Sequence, residues 1–386
     1  MEFGLTDEQL LLQRTARDFV ARTCPVAVAQ AWDEAATFPA ELFTGMADQG
    51  WLGLALPEEL GGGGGTAVEL GIITEQLGHA SLDVAMCFAG CLIPGLTVLR
   101  WGTDAQRERY LPAMLRGTGR FAIAMSEPDA GSDVAALRTR AVPGPDGFVL
   151  NGQKMWCTGA GLPGTTIALY ARTDPSTQEN GKHHGLSLLL VDPAAPGVRI
   201  QRTPTLARHI LGTNEVFLDD VRVPADDLVG ELHGGWKVLL SGLDLERVLM
   251  SAAYVGVAQA TLDEMLAYSK TRSQFGRPIG TFQALAHAMA DLQTDIDSAR
   301  LLAQRAAWLH AHGRPCSRES AMAKLKGSET YVNAARWGMQ ILGGHGFATD
   351  STMSFRWRES IVATISGGTS QIQRNAIARS MGLRCY

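Results

Sequence analysis

Five short stretches carry residue types that do chemistry. The first, Met125-Ser126-Glu127-Pro128-Asp129-Ala130-Gly131-Ser132-Asp133, follows a strand-like run. Its small and polar residues bare amides and hydroxyls, which suits a pyrophosphate or the pyrimidine edge of a flavin. The alternative is a plain loop capping a strand. The second is Lys154-Met155-Trp156-Cys157-Thr158-Gly159-Ala160. A Trp beside a Thr can cover a ring system and donate one hydrogen bond, or simply fill a core. The third is Arg272-Ser273-Gln274-Phe275-Gly276 with Phe282-Gln283, the fourth Gln340-Ile341-Leu342-Gly343-Gly344-His345-Gly346, and the fifth Gly367-Gly368-Thr369-Ser370-Gln371. Each is a Gly- or Gln-bearing helix end that, taken singly, reads as a cap or packing feature. The five glycines at 61–65 lack the Lys-Ser/Thr ending of a phosphate loop and read as a flexible turn. No GxGxxG follows a strand within a βαβ unit, so a Rossmann fold is not supported.

These stretches need elements to hold them. Residues 6–116 read as helical. Thr6-Asp7-Glu8-Gln9 fits a capping box, and Leu12, Ala16, Phe19 and Val20 form a helical stripe. Leu42, Met46 and Gly50 form a second stripe ending at Trp51. From 119 the period shifts to short β-prone runs at 121–125, 147–151, 166–171, 186–192, 198–202 and 215–218, separated by Gly, Pro, Asp and Asn. Asp146-Gly147 is a hairpin turn signal. Short strands without intervening helices predict a small antiparallel barrel or sandwich. Helices return at 238–270, 282–312, 318–342 and 369–381, which predicts an antiparallel bundle. The expected fold is α+β multidomain: an N-terminal all-α domain at 1–118, a middle antiparallel β-barrel or sandwich domain at 119–229, and a C-terminal four-helix bundle at 230–386.

Composition narrows the function. At about 150 residues per domain, 386 residues predict two to three domains. With 46% apolar and 19% charged residues the chain reads as globular rather than disordered. A net charge of −5 without a Lys/Arg run excludes electrostatically driven nucleic-acid binding. Cys24, Cys87, Cys91, Cys157, Cys316 and Cys385 show neither CxxC pairs nor zinc spacing. They read as reduced, mostly buried thiols. Met1-Glu2-Phe3-Gly4 offers no basic segment before an apolar core, so no signal peptide is expected. The longest apolar run, 85–99, is broken by Gly90, Pro94 and Gly95 and falls short of the ~20 residues of a membrane span. A cytoplasmic protein without a membrane partner is expected. Glycine is in excess, 43 residues in the chain against a usual ~7%. Many backbone positions are therefore expected to need positive φ or close approach.

Together, and in this order, the five stretches resemble the acyl-CoA dehydrogenase family over essentially the whole chain. The run 126–133, the Trp156/Thr158 pair, 340–346 and 368–371 carry the likeness. The resemblance implies the same three domains, FAD, a homotetramer, and electron transfer to an electron-transfer flavoprotein. It implies that Met125, Ser126, Ser132, Trp156 and Thr158 contact the flavin of their own subunit, with Gly131 bringing backbone against it. Arg272, Phe275, Gln283, Gln340 and Gly344 would reach the FAD of a neighbouring subunit. Thr369 and Gln371 would lie beside its adenosine or pyrophosphate part.

The family's reaction removes a proton from Cα of an acyl thioester and a hydride from Cβ. The proton needs a base, and a carboxylate serves where a desolvated pocket raises its pKa. Many members carry that Glu immediately before the Gly-Thr of the fifth motif, where this chain has Gly367. The Gly367 N–H remains able to polarise the thioester carbonyl. Leu243-Asp244-Leu245-Glu246-Arg247 resembles the segment of isovaleryl-CoA and long-chain acyl-CoA dehydrogenases whose base stands directly before an Arg. Glu246 holds that place, against the ordinary reading of a solvated or salt-bridged helix residue. Met250, four residues on, shares its helical face.

Phe88, Cys91 and Met250 are expected to narrow the pocket towards a short or branched acyl chain. Ser132, Asp244 and Arg247 are further substrate-side candidates, Arg247 through structure or carrier binding. An acyl-carrier protein in place of CoA would want a basic patch, to which Arg199, Arg202 and Arg208 could contribute. Two competitors remain. A flavin monooxygenase on the same fold usually lacks a base at both positions. A base-less flavoprotein scaffold has no need of the Trp156/Thr158 pair.

Overall fold

The computed structural model describes residues 4–176 and 181–384, so Cys385 and the first three residues lie outside the described residues. The chain divides into two compact units. One comprises Met1–Glu34, Gly65–Ala89 and Asp244–Tyr386, the other Ala35–Gly64 and Gly90–Leu243.

The N-terminal helices are α1 (Asp7–Thr23), α2 (Val26–Glu34), α3 (Ala40–Asp48), α4 (Ala67–Ala80), α5 (Leu82–Trp101) and α6 (Asp104–Leu115). The expected capping box opens α1. Thr6 Oγ1 accepts the Gln9 N–H at 3.2 Å and the Thr6 N–H donates to Gln9 Oε1 at 3.1 Å. Thr66 and Glu69 form a second box at α4, and Gln9 Nε2 donates to Glu69 Oε1 at 2.7 Å, tying the two helix starts together.

The apolar run does not break where Gly90, Pro94 and Gly95 predict. α5 continues through all three for 20 residues. An interior proline costs about 3 kcal/mol. Phe88, Leu92 and Ala89 are wholly buried in this helix. Each large apolar side chain buried returns about 1.5–3 kcal/mol, which outweighs the missing bond. By length and composition α5 could cross a membrane, yet 78% of its most apolar window is buried inside the protein, as in a core helix. Glu359 accepts the Leu82 and Asp83 N–H groups, both at 3.1 Å, and so caps the start of α5.

The middle stretch forms β1 (Arg120–Ala124), β2 (Arg140–Gly144), β3 (Gly147–Lys154), β4 (Thr165–Arg172), β5 (Leu186–Val191), β6 (Val198–Arg202), β7 (Asn214–Pro224) and β8 (Leu228–Val229). They make one eight-stranded sheet in the order β6-β7-β3-β2-β4-β5-β8, with β1 also on β4. The expectation of a purely antiparallel domain is corrected here. β1 and β2 both run parallel to β4, so the chain crosses over rather than turning back. The Asp146-Gly147 turn does close a hairpin, pairing Gly144 with Gly147. Its core includes Leu150, Ile167, Leu169, Leu189, Val216 and Val221.

The C-terminal part has α7 (Gly235–Thr271), a two-stranded hairpin of β9 (Ser273–Gln274) and β10 (Arg277–Pro278), then α8 (Gln283–Ala311), α9 (Ser317–Leu342), α10 (Gly344–Phe347), α11 (Thr352–Ser360) and α12 (Ser370–Ser380). α9 packs on α8, α11 and α12. α4 and α7 approach closely at two glycines. A Cβ on Gly78 would lie 2.6 Å from the Ala253 carbonyl oxygen, and one on Gly256 would strike the Glu75 carbonyl. Gly256→Ala is therefore expected to lower stability by about 1–3 kcal/mol. The check is a lower urea midpoint at unchanged slope, and an unmoved midpoint would show that the crossing can open freely.

Candidate active site

In the unit holding the sheet, the first two motifs lie side by side. β1 ends at Ala124 and leads into Met125 and Ser126, and β3 ends at Lys154. The Met155 N–H donates to the Ser126 carbonyl at 2.8 Å. Lys154, wholly buried, donates from Nζ to Glu127 Oε1 at 2.8 Å and to the Met125 carbonyl at 3.1 Å. Glu127 also accepts the N–H groups of Arg138 at 2.6 Å and Thr139 at 2.8 Å. Burial raises the Glu127 carboxyl, but the Lys154 charge and these donors outweigh it and hold the carboxyl below its usual range. Burial likewise pulls Lys154 down. Arg172 donates to the carbonyls of Ala135, His184 and Lys182, fixing the chain beyond the first motif.

Trp156 is 55% exposed at φ 60°, a left-handed backbone that is uncommon outside glycine. That overturns its reading as a core residue. The Cys157 and Gly159 N–H groups on either side of Thr158 donate to the carbonyls of Asn214 and Gly212. Gly131 and Ser132 are exposed, and a Cβ on Gly131 would meet nothing within 4 Å. A bared indole beside a small-residue loop, held from behind by a buried ion pair, fits a flat polar ring system such as a flavin.

In the other unit, Arg272 ends the turn after α7 and its carbonyl accepts the Ile279 N–H at 2.8 Å. Phe275 tips the β9–β10 hairpin at φ 53° and 93% exposure. Gln283, Gln340, Gly344 and Gln371 are exposed. Thr369 caps α12, its Oγ1 accepting the Ile372 N–H at 3.2 Å. Ser370 Oγ, buried in the first turn of α12, has no partner among the described residues.

α7 and the segment joining α11 to α12 bring the two base positions together. Gly367 has φ 62°, and a Cβ there would strike Met250 Sδ and lie 3.8 Å from Glu246 Oε1. Glu246 is half-buried. Burial pushes its carboxyl above the ordinary range, against the pull of Arg247 and Lys324. Asp244 accepts from Ser317 Oγ at 2.6 Å, Ser320 Oγ at 2.7 Å and Arg247 Nη1 at 3.3 Å. It therefore braces α7 against α9. Arg247 Nε is buried without a partner among the described residues, so one donor of this guanidinium is left over. Phe88 is wholly buried in α5, and Cys91 is buried with its thiol pushed up to about 11. Cys24, Cys87, Cys157 and Cys316 are buried as well.

Arg172, Lys324 and Gln373 stand outside the motifs read from the sequence, and the buried role of Lys154 within the second motif is not visible there. A lysine or glutamine inside a strand or helix reads as solvated surface, and no local signal marks these four. The Ala and Gly residues that flank Lys324 are the single hint of a crowded neighbourhood.

Comparison with known proteins agrees with this geometry. Family models for the acyl-CoA dehydrogenase N-terminal, middle and C-terminal domains match residues 6–118, 122–221 and 233–382. The chain is 36% identical to the probable acyl-CoA dehydrogenase YngJ of Bacillus subtilis (strain 168), covering 99% of this chain and 100% of that one. It is 32% identical to the caffeyl-CoA reductase-Etf complex subunit CarC of Acetobacterium woodii, covering 97% and 98%. The solved glutaryl-coenzyme A dehydrogenase, in its glutaryl-CoA complex, superposes with a TM-score of 0.95 at 31% identity, covering 100% and 98%. The chain belongs to the acyl-CoA dehydrogenase family. It is an oxidoreductase acting on acyl-CoA, and FAD is its cofactor.

Proposed function

We propose that the chain catalyses α,β-dehydrogenation of a short or branched acyl-CoA to the 2-enoyl-CoA, with Glu246 as the base that takes the α-proton. The Gly367 N–H polarises the thioester carbonyl and stabilises enolate-like charge. When bound, FAD supplies the acceptor for the hydride that leaves Cβ. Met125, Ser126, Ser132, Trp156 and Thr158 would hold its flavin. The observation that carries this reading is the Glu246 carboxylate, 3.8 Å from where a side chain at 367 would begin. Its desolvation suits a base at neutral pH. Met250 crowds the same volume, which favours short or branched chains.

The proposed assembly is a homotetramer with domain boundaries near residues 118 and 230. Phe275 at 93% exposure supports it, because a bare aromatic on a hairpin tip wants a partner surface. The caffeyl-CoA reductase relative supports an electron-transfer flavoprotein as redox partner. Five buried cysteines scattered without paired spacing support a reducing, cytoplasmic setting. CoA is the proposed carrier rather than an acyl-carrier protein. The acyl-CoA and caffeyl-CoA enzymes among the relatives support it, while Arg199 over the Phe217 ring and Arg202, donating to the carbonyls of Ala36 and His209, keep their charge.

The test is anaerobic mixing of the FAD-loaded enzyme with a panel of acyl-CoA thioesters. Rapid bleaching of the flavin by short and branched chains is expected. Reduction by NAD(P)H alone, followed by oxygen consumption once air is admitted, would identify a monooxygenase instead. Comparing kcat/KM for the CoA and acyl-carrier-protein forms of one acyl chain checks the carrier.

A further inference from the structure

Lys324 is wholly buried in α9. A buried ammonium is costly unless it is hydrogen-bonded and balanced by charge. Its Nζ donates to the carbonyls of Ala363 at 3.0 Å and Gly368 at 2.8 Å, both in the segment between α11 and α12. Gln373, also wholly buried, donates from Nε2 to the carbonyls of Gly367 at 3.0 Å and Gly368 at 3.1 Å. Two interior side chains thus hold consecutive glycines that both sit at positive φ, 62° and 83°. Glu246 approaches the first of those glycines from α7. α7 and α9 are close here, for a Cβ on Gly327 would already touch Ser251 and Tyr254 at 3.5 Å.

Lys324 makes no ion pair among the described residues. Carbonyls accept its protons but do not neutralise its charge. The charged groups facing Glu246 are Arg247 on its own helix and Lys324 on α9. The Asp244 carboxylate is occupied by Ser317, Ser320 and Arg247. Residues 361–369 carry no titratable side chain.

We infer that Lys324 is a positioning residue for the dehydrogenation: it fixes the turn that presents the Gly367 amide, and its charge favours the carboxylate form of Glu246. The inference rests on Glu246 being the base. The electrostatics are reciprocal. Lys324 draws the Glu246 carboxyl down against burial, while Glu246 holds up a lysine that burial has lowered to about 8.

The experiment reads the pH profile of flavin reduction by acyl-CoA in the FAD-loaded enzyme. Lys324→Met is expected to move the acid limb upward by about one pH unit or more. It should also lower the maximal rate about tenfold. Gln373→Leu loosens the same carbonyls without removing charge, so it should lower the rate and leave the limb in place. Lys324→Gln keeps N–H donors and removes only the charge, so it must reproduce the shift if Lys324→Met does not fold. An unmoved limb in the Lys324 variants overturns the proposal, as does an equal shift in Gln373→Leu. Glu246→Gln separates the two readings. If it keeps both rate and limb, the base assignment fails. If it is inactive while the Lys324 limb stays put, only the role of Lys324 fails.

Discussion

Glu246→Gln is expected to bind FAD as the parent does and to lose about 10³ of the rate of flavin reduction by acyl-CoA, within the range a positioned base contributes. Glutamine keeps the shape of the side chain but cannot accept the α-proton. The pH dependence has a definite sign. In the proposed mechanism the carboxylate is the active form, and burial raises its pKa above the ordinary value. Activity should therefore rise with pH, with its acid limb higher than an exposed glutamate would give. That limb should vanish with the carboxylate. Anaerobic stopped-flow at several pH values measures both, and a parental rate in the variant would falsify the assignment.

Gly367→Glu should damage the enzyme even though it restores the carboxylate that many relatives carry. Three effects add. A left-handed backbone costs a non-glycine residue roughly 1–2 kcal/mol. The new Cβ displaces Met250, which adds about 1–3 kcal/mol of overpacking. The second carboxylate then stands beside Glu246, and like charges at that range force one to keep its proton. A lower melting temperature and roughly a 10²-fold slower reduction near neutral pH are expected, since small misplacements in an active site cost that much. Adding Met250→Ala should recover stability and leave the slow rate. Parental rate and stability together would mean that position 367 and Glu246 do not share one volume.

What could be read from the sequence was what is local. The Thr6/Gln9 box, the Asp146-Gly147 turn and the run 198–202 are each decided by residues a few positions apart, and each forms as expected. β2 was missed although its hairpin turn was read, because a five-residue strand with one buried side chain shows no alternation. The parallel pairing of β1 with β4 depends on contacts distant in sequence and leaves no periodic trace. Pro94 misleads for a similar reason: local breaking propensity is overridden by burial that only the folded chain supplies. The site divides in the same way. Glu246 and Gly367 could be paired only through the family pattern, since they stand on different elements. Lys324 could not be found at all, and Lys154 was read only as the edge of a motif, because their burial comes from neighbours far along the chain.

The Glu127–Lys154 pair has a bearing on how the enzyme acquires its cofactor. The Met125 carbonyl and the amides of Arg138 and Thr139 complete its hydrogen bonding. The loops bearing Ser126 and Trp156, the residues proposed to hold the flavin, are thus held in register by the protein's own hydrogen bonds. Loading becomes the docking of a ligand into a prepared cradle, with little ordering entropy left to offset.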